Sequence, residues 1–295
     1  MQSWLAIAVF AQLLFAVSTL VDKHIVSRAA HIGKPVVYAF YVALLSGFVI
    51  VLLPFVSVPR GYVLALSLIN AATFTAAIYL LYSALSVARA SDVSPVVGGV
   101  SAIVTAVLAA AWIEGDVALV HALPILLLAG GTAVISHFQF SRKAILYTVA
   151  AGVFFGVTIL LGKLIFNEVP FIDGFFWPRL MNVAVALSLL LVPSFRRAIL
   201  HGGKHSSRGA KGLVIGNKVL GGAAAAMTAY AVSLGSVAIV NSLAGLQFVF
   251  LFIFAVLFAH KMPLFSEAKI GSHGGWHTFL GIALIVAGLA ALYIQ

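Results

Sequence analysis

Of the 295 residues, 63% are hydrophobic and 8% are charged, and the mean hydropathy is +1.17; a soluble domain carries roughly 25% charged residues. So few charges cannot cover a water-exposed surface, which excludes an ordinary soluble domain and leaves most of the surface to lipid. The absence of cysteine excludes disulfides and thiolate chemistry, and the net charge of +10 is carried mainly between apolar segments, where it reads as topology and contact with anionic lipid headgroups rather than nucleic-acid binding.

Ten segments are apolar enough and close enough to the roughly 20 residues that cross a hydrocarbon core of about 30 Å: 3–25, 35–57, 62–87, 93–113, 118–138, 144–166, 172–193, 212–234, 237–259 and 276–294. Backbone polar groups must be paired inside lipid, so these are predicted to be helices; a barrel would need short alternating strands. The first segment lacks a preceding basic stretch and runs on as a spanning helix rather than a cleavable signal. The longest connection, 194–211, holds Arg196, Arg197, His201, Lys204, His205, Arg208 and Lys211 among Gly and Ser. It is predicted to be a solvated, flexible basic loop.

The chain repeats itself. Phe15-Ala16-Val17-Ser18-Thr19-Leu20-Val21-Asp22-Lys23 matches Phe155-Gly156-Val157-Thr158-Ile159-Leu160-Leu161-Gly162-Lys163 at an offset of 140. Asn70, Ala84, Ser86 and Gly98 match Asn217, Ala231, Ser233 and Gly245 at an offset of 147. Two halves, 1–138 and 143–295, therefore hold five segments each. Five is odd, so the second half enters the membrane from the opposite side, and the fold expected is an all-α membrane protein of ten transmembrane helices in two inverted five-helix repeats. Inverted repeats recur in secondary transporters.

With Lys23 and Lys163 toward the end of the first helix of each half, Arg179 within Trp177-Pro178-Arg179, and the stretches Ala84–Pro95 and Ala231–Leu243, the chain resembles the drug/metabolite transporter superfamily, specifically its ten-helix EamA-type members, over nearly its whole length. The resemblance implies a secondary carrier of a metabolite, such as an amino acid, an amine or a nucleotide-linked sugar. It departs from the family pattern at Phe40, which stands where the mirror of Arg179 would be, and at His260-Lys261, which replace an acidic residue after the ninth helix.

An ionisable group inside a span costs at least a few kcal/mol and is a functional candidate by default. Lys23, Lys163, Arg179 and Lys218 qualify. Helix direction places Lys23 and Lys218 toward one side and Lys163 and Arg179 toward the other, a basic pair at each mouth of a central cavity. Such pairs suit an anionic or carboxylate-bearing substrate; snorkelling to the headgroups is the alternative for the lysines. Asp22 is the one acid within reach of these groups; it either neutralises a neighbouring lysine or serves as a proton-coupling site. No second carboxylate lies deep in a span. Asn70 and Asn217, with Asn241 and Gln247, either bind substrate or bridge helices. Trp177 and Tyr79 are candidates to line the cavity. The nine histidines lack metal-ligand spacing, and neither a catalytic constellation nor a phosphate-binding loop is present, so no cofactor and no enzymatic activity are expected.

With Lys23, Lys163, Arg179 and Lys218 set aside as lying within spans, twelve of the 17 Lys and Arg residues lie in odd-numbered connections, against Arg60 alone on the other side. The charge bias puts those connections in the cytoplasm and both termini outside, whereas the resemblance implies termini inside. The function expected is a secondary active transporter of a small polar or anionic metabolite in the cell membrane, with a homodimer left open. The alternatives are a carrier for a lipid-linked head group such as a polyprenyl phosphate, and a non-transporting scaffold.

Overall fold

The computed structural model describes residues 3–28, 35–88, 90–113, 120–135, 141–201, 208–258 and 275–294, and among them there are helices and connections but no strand. The first half contains α1 (Ser3–Arg28), α2 (Pro35–Leu45) prolonged by a 3-10 segment (Ser46–Phe55), α3 (Gly61–Leu85), α4 (Ala90–Trp112) and α5 (Ala122–Val134). The second contains α6 (Arg142–Glu168), α7 (Phe171–Leu189), α8 (Pro193–His201), α9 (Arg208–Leu234), α10 (Val237–Ser242), a 3-10 turn (Leu243–Gly245), α11 (Leu246–Phe258) and α12 (Gly275–Ile294).

By length and composition, five of these are able to cross a membrane: α1, α2 with its 3-10 extension, α3, α4 and α6; a sixth is counted when α7 and α8 are taken together. Shorter apolar stretches occupy α5, α9, α10–α11 and α12. Phe48 and Val51 are 74% exposed, and Phe55, Trp112 and Trp276 are similarly open. An exterior of this kind suits lipid and not water.

Two of the expected spans pass into 3-10 geometry partway along, for local reasons. Ser46 Oγ donates to the Val42 carbonyl at the point where α2 tightens into 3-10 geometry. Pro54, near the end of that segment, has no N–H to give. Likewise Ser242 Oγ donates to the Ile239 carbonyl where α10 passes into its 3-10 turn. Serine bonding back onto its own helix bends it.

The 194–211 connection differs from its expectation as well. Its first part is the helix α8, turned 103° from α7. Phe195, Ala198 and Ile199 fall on one face and pack against α2 and the end of α7, and Pro193 suits a first helical position. The abundance of charge masked this three-residue stripe.

Small residues set the helix spacing. α6 runs between α3 and α4. A Cβ on Gly152 would lie 2.7 Å from Val100 Cβ, and one on Gly156 would lie 2.9 Å from the Ser101 carbonyl, so both positions need glycine for this approach. α5 lies against α4 and α12, and α1 against α9. A buried apolar cluster joins α1, α4, α5, α6, α9, α10 and α12 around Leu128, Leu160, Val237 and Ile285. A smaller one joins α2, α7 and α8 around Val37, Phe40, Ala186 and Ile199.

Candidate substrate-binding and gating site

The two asparagines matched by the repeat make matching bonds. Asn70 Nδ2, on α3, donates to the Thr158 carbonyl on α6 at 2.6 Å. Asn217 Nδ2, on α9, donates to the Ser18 carbonyl on α1 at 3.1 Å. Ser18 and Thr158 are themselves a matched pair at the offset of 140. Each asparagine thus reaches from its own half to the equivalent main-chain carbonyl of the other half. Buried in an apolar interior, each amide needs such a partner.

A second polar seam lies between α10, α4 and α6. Asn241 Nδ2 donates to Ser101 Oγ at 3.1 Å and to Thr105 Oγ1 at 2.7 Å, and Thr105 Oγ1 donates to the Gly156 carbonyl at 3.2 Å. Gln247 Nε2 on α11 donates to Thr19 Oγ1 on α1 at 2.8 Å. All four amides predicted from sequence are therefore engaged between helices. Ser101 and Thr105, whose hydroxyls hold Asn241, were not singled out from the sequence, because hydroxyls are common in such helices and nothing local marks these two.

Lys163 Nζ donates to the carbonyls of Val232 at 3.0 Å and Gly235 at 2.8 Å. These are among the last carbonyls of α9, which lack an intrahelical partner, and an ammonium there also meets the negative end of the helix dipole. The lysine therefore closes the α9–α10 corner. Trp4 of α1 lies against the same corner, its ring packed on Gly235, where a Cβ would have no room.

Arg179 sits in α7 with its guanidinium 3.4 Å from the centroid of the Phe175 ring, and Nη1 donates to the Phe175 carbonyl at 3.1 Å. Among the described residues no carboxylate pairs with it. Among the described residues, the sealed polar atoms without a hydrogen-bond partner are Ser67 Oγ, Thr75 Oγ1, Asn182 Oδ1 and Asn217 Oδ1. Phe175 continues through Phe171 to Phe166 on α6 and Tyr230 on α9. Arg179 and the Lys163 corner thus belong to one end of the molecule, joined through aromatic rings.

That end also holds a buried acid. Asp173, in the first turn of α7, is 5% exposed. Its Oδ1 accepts from Ser57 N at 2.9 Å and its Oδ2 from Ser57 Oγ at 2.6 Å. Trp177 Nε1 completes the grip by donating to the Ser57 carbonyl at 3.0 Å. The connection between α2 and α3 is thereby latched to the start of α7. Trp177 was read from sequence as a cavity wall, and the structure engages its indole in this latch. Asp173 was missed, although an acid just after Pro170 at a helix start is a recognisable signal. Tyr79 is 39% exposed.

The side chains of Asp22, Lys23 and Lys218 lie outside the described residues, as do Arg89, Glu114, His137 and the whole of 202–207. The basic pair expected at the other mouth therefore has no described geometry.

The two ends of the bundle are packed unequally. α3 lies along α7. Among the described residues α9 has no comparable packing on α2, the pair that the repeat would place in the same relation.

No family model matches the chain, and no curated protein matches it. Thirteen chains of solved structures do match. One, described only as the crystal structure of a protein, is similar over 98% of this chain and 97% of its own, with a TM-score of 0.67 at 17% identity. The chain shares that overall fold.

Proposed function

We propose that the chain is a secondary transporter of a small polar or anionic metabolite. It would work by alternating access between two inverted five-helix repeats, ten spans in all, in the manner of the EamA-type drug/metabolite transporters that its sequence resembles. The observation that carries this reading is the crossed pair of bonds, Asn70 to Thr158 and Asn217 to Ser18. Reciprocal contacts between repeat-matched positions are what a two-fold relation between halves requires, and inverted halves are the mechanical basis of alternating access.

In this reading Arg179 holds the anion. A guanidinium stacked on Phe175, with one carbonyl partner and no acid partner among the described residues, is a fixed planar fork of donors that suits carboxylate or phosphate. The Ser57–Asp173–Trp177 latch and the Lys163 cap would close the end of the bundle nearest Arg179, and the α2–α9 side, which lacks comparable packing among the described residues, would be the open one. That open side is also the one observation favouring the carrier of a lipid-linked head group, which would enter laterally between helices.

The test is a thermal-stability screen of the purified protein against amino acids, organic acids, phosphorylated acids, amines, nucleotide sugars and a short polyprenyl phosphate. A ligand at 100 times its Kd stabilises the folded state by about 2.7 kcal/mol. The expected result is stabilisation by anions, lost in Arg179→Ala and weakened in Arg179→Lys, and uptake of the same anion into proteoliposomes. Stabilisation by amines, unchanged in the Arg179 variants, would sink the anion reading. A response confined to the polyprenyl phosphate would favour lateral entry.

A further inference from the structure

The α8 segment has a geometry that neither the transport reading nor the crossed repeat contacts call for. α7 stops within a turn: the N–H groups of Leu190, Leu191 and Val192 donate to carbonyls three residues back. The chain then swings through 103° into α8. If α7 runs across the bilayer, α8 lies along its surface. Its inner face is settled by Phe195, Ala198 and Ile199, which pack on Val36, Val37 and Phe40 of α2 and on Leu189 and Leu190 of α7.

The outer face is of a different kind. At 100° per residue, Arg196 and Arg197 fall on either side of Leu200, four and three positions ahead of it, away from the packed stripe. All three are exposed, Leu200 by 65%. Leu191, at the bend, is 83% exposed. In water, a leucine between two arginines at a sharp corner would be an apolar group with nothing to cover it. At a membrane surface the same arrangement is coherent: the leucines enter the acyl boundary, and the arginines stand at the level of the phosphates. The charge of the neighbouring sequence agrees, since Lys204, Arg208 and Lys211 follow within eleven residues of Leu200.

We propose that α8 is an interfacial helix whose outer face, Arg196, Leu200 and Arg197, binds anionic phospholipid headgroups. It thereby moors the α2–α7 pair, which shares its apolar cluster, to the surface of the leaflet on that side. Arg196 and Arg197 supply the charge and planar donors for phosphate. Leu200 and Leu191 set the depth. Anionic lipid is therefore a partner that steadies this part of the molecule, whatever substrate it carries.

The natural absence of cysteine makes the experiment direct. Leu200→Cys is labelled with an environment-sensitive fluorophore and reconstituted in phosphatidylcholine alone and in phosphatidylcholine mixed with phosphatidylglycerol. In the mixed vesicles the label is expected to shift to the blue and to be several-fold less accessible to an aqueous quencher. Arg196→Gln with Arg197→Gln, checked for a monodisperse elution profile, should erase the difference between the two vesicles. Inorganic phosphate added to neutral vesicles should not reproduce the protection. Equal quenching in both lipids, protection that survives loss of both arginines, or protection by free phosphate alone would each overturn the proposal. None of these readouts depends on substrate, so failure here would leave the transport reading standing, and the reverse holds.

Discussion

The α3–α6 seam and the α1–α9 seam are built from matched residues, yet they are not equally made. In the first, Asn70 reaches the Thr158 carbonyl, Thr158 Oγ1 donates to Thr73 Oγ1, and Thr73 Oγ1 donates back to the Asn70 carbonyl. The bonds form a connected set in which each member limits its neighbours. In the second, Asn217 makes its one bond to Ser18 and leaves Oδ1 buried without a partner, and the α9 face toward Ser18 includes Gly221, with room for little more than a Cβ. Residues matched in sequence thus make the same type of contact with different surroundings. The latch adds to the inequality, because Asp173 and Trp177 fasten the start of α7 to the connection that leads into α3. The α3–α6 seam is thus held by a connected set of bonds, and the α1–α9 seam, also closely packed, by a single one among the described residues.

Breaking the latch should have the largest effect on that contrast. Asp173→Ala removes both acceptors of Ser57, and hydrogen bonds to a charged group contribute about 1.5–3 kcal/mol each; the melting temperature in detergent should fall by several degrees. Ser57→Ala, which keeps the backbone bond, should fall by less than half as much. If the two variants matched, the carboxylate would not be the anchor. Removing the helix cap comes next. Lys163→Met keeps the apolar stem but strips two carbonyls of their donor, at a cost of about 1–2 kcal/mol, read as a lower melting temperature and faster amide exchange confined to the end of α9.

The asparagines sharpen the comparison directly. Interhelical hydrogen bonds in membranes average about 0.6 kcal/mol and reach about 1.7. Asn70→Ala should fall near the upper figure and Asn217→Ala near or below the lower one, because the second also relieves an orphaned oxygen. Equal losses in the two thermal melts would mean that the seams are equivalent after all. The smallest effect is expected at Thr73→Ala, about half a kcal/mol, and it should shrink further in an Asn70→Ala background; simple additivity would show that the three groups do not act as a set.

Much of the scaffold was legible in the sequence because apolar runs and small-residue spacing are local signals. The helices lie within a few residues of the apolar segments, and Asn70, Asn217, Asn241 and Gln247 all meet neighbouring helices. The latch was not legible. Ser57 and Asp173 are 116 residues apart, and neither carries a pattern that names the other. α8 was hidden by its own charge, which outweighed the spacing of Phe195, Ala198 and Ile199. The role of Lys163 was legible only in part: its place near a helix end was clear, but the carbonyls it caps belong to a helix that begins some 45 residues later, and the same position suits a mouth, a snorkel or a cap.

The pairing of α5 with α12 has a mechanical consequence. A Cβ on Gly131 would come within 2.6 Å of the Gly281 carbonyl, and one on Gly281 within 2.7 Å of that of Gly131. Main chain meets main chain there, with the side chains of Ile135 and Ile285 crowded against the same glycines. Such a joint has little give, and it fastens the last helix of one half to the last helix of the other. A side chain at either glycine would have to push the two main chains apart, so these two positions set how near α5 and α12 can come.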